Sequence, residues 1–179
     1  MRAVSPAARP RADKKIFVAC HNPGGSLDKP TKEANIMSDT HPVRLEQHLS
    51  DVIKHAKELA RAIDSHGLDR TIYHLVLTRA SQINGCVHCI EMHLREARAH
   101  GETGDRLDRL IVWDHVDIFN EREKAALAWT EALTVLDRKT DYGPLRARLR
   151  QHFSDDHIAA LTATIGMINF FNRLAISTH

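Results

Sequence analysis

The chain has 179 residues, 42% hydrophobic and 27% charged, which suits one soluble domain with a real core and argues against extensive disorder. No apolar run approaches the ~20 residues of a membrane span, so neither a transmembrane protein nor a membrane partner is expected, and Ile16 to Cys20 is too short for a signal-peptide core. Three cysteines, an odd count, give no framework for a disulfide-stapled secreted domain, so a cytoplasmic location is the expectation.

The net charge of +2 is unevenly placed. Residues 1–42 carry seven Lys/Arg and four Asp/Glu, whereas residues 43–179 carry 18 and 19. The second part is thus close to neutral, with no electrostatic footprint for nucleic acid. Five of the six prolines also precede residue 43. These shifts predict a poorly ordered extension over 1–42, within which Met37 is an alternative start, and a folded domain over 43–179.

Helical periods dominate that domain. Leu45, Leu49, Val52, Ile53, Ala56, Leu59, Ala60 and Ile63 share a helix face that Gly67 would close. Asp69 can cap a second helix through Ile72, Leu75, Val76 and Ile83, ending near Asn84-Gly85. A third runs from about Cys86 to His100, and Thr103 opens a short fourth through Leu107, Leu110 and Ile111. Asn120 with Glu123 forms a capping box for a fifth through Trp129 and Leu136. A shorter helix covers roughly Pro144 to Phe153, and Ser154 caps a long apolar one through Leu174. No segment alternates as a strand would. The predicted fold is all-α, a single multi-helix domain. Its final helix is apolar on more than one face, which predicts both a central position and a homo-oligomer.

The segment Arg79-Ala-Ser-Gln-Ile-Asn-Gly-Cys86-Val-His88-Cys89-Ile-Glu-Met-His93 carries the chemistry. With Asn84-Gly85 as a break, Cys86 falls in the first turn of the next helix. There, unpaired N–H groups and the positive dipole end favour a thiolate. Cysteines in such Cys-x-x-Cys motifs can have pKa values of ~3.5–7.5, against about 8.5 for a free thiol. At about 100° per residue, Cys89 and His93 lie within about 60° of Cys86, whereas His88 faces the opposite side. Val87, Ile90, Leu94 and Ala97 would form the adjacent buried stripe. His93 follows Cys89 by one turn, so its imidazole can take the thiol proton. Three readings stay open on spacing: a dithiol redox centre, a metal site using Cys86, His88, Cys89 and His93, and two half-buried core cysteines.

This segment, with Ala97 and Gly101-Glu102-Thr103, resembles the AhpD-like alkylhydroperoxidases of the carboxymuconolactone decarboxylase superfamily. The resemblance runs through Glu121–Leu133 and on to Ile168-Asn169-Phe-Phe-Asn172-Arg-Leu-Ala-Ile176. It implies an oligomeric, cofactor-independent, all-helical peroxidase. Cys89 would attack the hydroperoxide, Cys86 would resolve it, and His93 would relay the proton, with His88 matching a histidine some members place between the cysteines. An external dithiol, thioredoxin-like or lipoyl-bearing, would restore the thiols. Members usually carry a glutamate twelve residues before the first cysteine; here that position is His74, which can also accept a proton near neutral pH. Decarboxylation without a cysteine pair and a non-catalytic helical oligomer binding a metal or partner are the alternatives.

Overall fold

A computed structural model describes residues 40–178; Cys20, Met37 and nearly all of the expected extension lie outside them. The helices are α1 (Leu45–His48), α2 (Ser50–Asp64), α3 (Arg70–Asn84), α4 (Val87–Ala99) and α5 (Gly104–Arg109). After a 3₁₀ segment (Leu110–His115) come α6 (Glu121–Val135), α7 (Tyr142–Arg150) and α8 (Asp155–Ile176). Among the described residues there is no strand.

The polar residues that punctuate the sequence set the helix starts. Asp69 accepts the Ile72 N–H at 3.2 Å. Asn120 and Glu123 accept each other's backbone N–H groups, both at 2.9 Å, and Ser154 accepts from His157 at 3.2 Å. Each such cap contributes about 1 kcal/mol.

Two expected helices are divided. The first breaks at Leu49 (φ −132°, ψ 38°) into α1 and α2. Neither buries a residue fully, and weak tertiary packing does little to sustain a helix through its weak points. The fourth stops as an α-helix at Arg109 and tightens into the 3₁₀ segment, with non-helical backbone at Val112. Leu110 and Trp113 are both buried there; their three-residue spacing puts them on one side of a 3₁₀ turn.

Helix α3 packs against α4, α6 and α8, which is why its apolar residues serve two clusters. Ile72 and Val76 join Trp129, Leu149, Leu161 and Ile165. Leu75 joins Leu107, Leu110, Trp113 and Leu127. Each fully buried aliphatic side chain of this kind contributes roughly 1.5–3 kcal/mol.

Helix α8 takes the central place expected of it, touching α2, α3, α4, α6 and α7. Its 22 residues are also long and apolar enough, by length and composition, to cross a membrane. The sequence reading missed this because Thr162, Thr164, Gly166 and Asn169 interrupt the apolar run. In this fold Leu161, Ile165 and Ile168 are core residues. Phe170 is exposed and Phe171 half-buried, their rings edge to face at 5.4 Å.

Candidate active site

The end of α3 aims the cysteine pair. Gly85 takes the left-handed conformation (φ 69°), which glycine adopts without a Cβ penalty. The Cys86 N–H then donates back to the Ser81 carbonyl at 3.1 Å. Cys86 is thereby held extended (φ −82°, ψ 93°) as the N-cap of α4, one residue outside the first turn where it was expected. Its carbonyl accepts the Ile90 N–H at 2.9 Å.

Cys86 and Cys89 are joined as a disulfide with their Cα atoms 5.4 Å apart, within the ordinary range for a bridge. Both are buried. Only Cys89 of the two lines an open cavity of about 890 Å³ bordered by α2, α3, α4, α8 and the segment before α2. That size falls in the usual range for small-molecule sites, about 300–1,000 Å³. His88, His93, Tyr73, Leu77, Met167 and Phe171 share the wall.

Cys89, His93 and Ala97 form the buried line of α4 at four-residue spacing. Val87, expected in the adjacent stripe, is 66% exposed. It sits two residues, about 200°, from Cys89 and so faces away. Ile90 and Leu94 are partly buried, and His88 is exposed.

The His93 ring is held by Glu96, whose carboxylate lies 3.0 Å from Nδ1. A carboxylate accepts, so the ring donates from Nδ1 and leaves Nε2 as the basic nitrogen. Nε2 is buried and has no hydrogen-bond partner. Burial pushes the His93 pKa below its ordinary value; the Glu96 hydrogen bond and charge pull it up, and His88 pushes it down. His93 is thus a neutral acceptor at pH 7. Glu96 was not singled out in the sequence, although its spacing from His93, three residues along one helix, was legible there.

His74 is buried on α3, outside the cavity wall. Neither ring nitrogen has a hydrogen-bond partner, and its ring lies against that of His100 with centroids 4.6 Å apart. Burial first, then the His100 charge, lowers its pKa. Among the described residues, no group of three or more His, Cys, Asp or Glu is arranged to hold a metal.

The family model for carboxymuconolactone decarboxylases matches residues 50–132, which include the whole cysteine segment. The uncharacterized protein YdfG of Bacillus subtilis (strain 168) is 37% identical over 110 residues, 62% of this chain and 75% of that protein. This chain belongs to the carboxymuconolactone decarboxylase family. It is AhpD-like within it: the crystal structure of an Agrobacterium tumefaciens protein of unknown function, named as a candidate antioxidant defence protein AhpD, superposes with a TM-score of 0.72 at 32% identity. That match covers 76% of this chain and 94% of the other. The debrominase Bmp8, solved with 2,3,4-tribromopyrrole, shares the AhpD-like fold at a TM-score of 0.66 and 19% identity, over 74% of this chain and 71% of Bmp8.

Proposed function

We propose that this AhpD-like protein is a thiol-dependent peroxidase that reduces hydroperoxides through the Cys86–Cys89 pair. The observation that carries the reading is the asymmetry of the pair: Cys89 and His93 both line the cavity, while Cys86, bonded to Cys89, does not.

In the reduced protein, the Cys89 thiol gives its proton to His93 Nε2. The thiolate sulfur attacks the distal oxygen of the hydroperoxide, the O–O bond breaks, and the alkoxide leaves as an alcohol with the proton from His93. Cys89 is then a sulfenic acid. The Cys86 thiol attacks its sulfur, the disulfide forms, and water leaves. An external dithiol, thioredoxin-like or lipoyl-bearing, exchanges with the disulfide and is itself oxidised. Such a cycle suits the reducing cytoplasm.

His88, exposed on the cavity wall, fits a role in guiding substrate more than in taking the Cys89 proton. His74 fits a tuning role, since its nitrogens reach neither cysteine nor His93 by hydrogen bond.

Self-association belongs to the same reading. Helix α2 buries no residue fully and leaves Val52 and Leu59 exposed, and Phe170 of α8 is exposed as well. A second copy of the chain would cover such surface.

Peroxide consumption at the expense of a dithiol, followed by a coupled assay, tests the activity. Consumption by the intact protein and its loss in Cys89→Ser is the expected pattern. No consumption by the fully reduced protein would overturn it.

A further inference from the structure

The Glu96 carboxylate lies on the outer, solvent-facing side of the His93 ring, while His93 itself is buried. A buried imidazole with no such partner would divide its proton between Nδ1 and Nε2. With a carboxylate at 3.0 Å from Nδ1, the Nδ1–H form is the stable one, and Nε2 keeps its lone pair. That nitrogen is fully buried and unpartnered, on a ring one turn from Cys89 and on the same cavity wall. In the disulfide state Cys89 has no proton to offer. On reduction the Cys89 S–H is a donor for which Nε2 is the acceptor on the same helix face.

We infer that Glu96 is the positioning residue of the Cys89 thiol: it fixes the tautomer of His93 and stabilises the imidazolium that forms when the thiol ionises. The inference rests on the proposed Cys89–His93 proton transfer, but not on the identity of the oxidant. The carboxylate is half-exposed, so water weakens its charge. Its effect through a direct hydrogen bond is greater than through the field alone.

Other charged or titratable groups face His93 or its cavity. His88 shares α4, and His74 and Tyr73 come from α3. Lys57 lines the cavity from α2, and His41, Arg44 and Glu46 line it from the preceding segment. The α8 residues on the wall, Met167, Ile168, Phe171 and Leu174 among them, carry no charge. Glu96 is the group that holds the His93 ring by a hydrogen bond.

The test uses the full-length chain carrying Cys86→Ser, reduced, with iodoacetamide as the probe and alkylation of Cys89 followed by peptide mass against pH. Reading the Cys89 peptide alone removes Cys20 from the result. Adding Glu96→Gln, which keeps shape and removes charge, should move the Cys89 midpoint to higher pH. At neutral pH alkylation should slow by about tenfold, as for a pKa change of about one unit. Glu96→Asp should recover part of the loss. In a His93→Gln background, Glu96→Gln should add nothing, because the coupling partner is gone. An unchanged Cys89 midpoint in Glu96→Gln, or an equal shift with and without His93, would overturn the assignment. Peroxide is absent from this assay, so a failure of the peroxidase reading would show separately, in the coupled assay.

Discussion

Asn84 Nδ2 donates to Asn172 Oδ1 across 2.9 Å, tying the last residue of α3 to α8 two residues before Cys86. The same nitrogen donates to Asn169 Oδ1, also at 2.9 Å. Asn172 Nδ2 in turn donates to Ser81 Oγ at 3.1 Å, and the Ser81 carbonyl holds the Cys86 N–H. The turn that presents the cysteine pair is therefore anchored on the central helix by side-chain amides inside the bundle.

Replacing Asn172 by Ala removes two hydrogen bonds from a buried seam, those to Asn84 and Ser81, while Asn84 keeps Asn169 and Ser81 keeps the Leu77 carbonyl. The expected cost is about 1–3 kcal/mol, the loss of two buried hydrogen bonds at about 0.5–1.5 kcal/mol each. Urea unfolding followed by circular dichroism measures it, and an unchanged midpoint would mean the seam is slack.

The two cysteines should differ sharply. In Cys86→Ser, one equivalent of hydroperoxide should leave a trappable sulfenic acid on Cys89, because the resolving thiol is absent. In Cys89→Ser, peroxide should barely react, since Cys86 does not line the cavity. Dimedone labelling read by mass distinguishes the two, and the reverse pattern would exchange the roles.

Acid should destabilise the protein through its buried histidines. His74 and His93 both have pKa values below their ordinary 6.5 when folded, so the unfolded chain binds protons more readily. Their contribution is full above about 6.5 and is lost as pH falls through the window beneath it. His74→Leu should therefore flatten the fall in urea midpoint between pH 7 and 5. A parallel fall in the variant would show that other groups carry the acid response.

The exposed apolar surface of α2 predicts assembly. Light scattering at micromolar concentration should report more than one chain per particle, and Leu59→Glu should reduce that number. A well-folded monomer in the unsubstituted protein would contradict the expectation.

Most helix boundaries were legible because the residues that fix them act locally. Asp69, Asn120 and Ser154 cap the helices they precede, Glu123 completes the capping box from inside α6, and Gly85 closes α3 in the left-handed conformation that glycine adopts readily. The break at Leu49 was not legible, because the apolar period continues straight across it. Nor was the place of Cys86 as an N-cap, since ideal helix geometry was extended one residue too far. The pairing of Cys89 with His93 on one face followed from four-residue spacing. The burial of His74 did not, because it depends on α3 being enclosed by other helices. Glu96 escaped notice for the opposite reason: an i, i+3 pair on an exposed helix surface is common, and only the burial of His93 gives this one its significance.

The most direct measurement is a thiol count on the fully reduced chain before and after one equivalent of hydroperoxide. The chain has three cysteines, so the predicted result is a fall from three titratable thiols to one, Cys20, with the other two recovered by dithiothreitol. Retention of all three thiols would contradict a dithiol peroxidase.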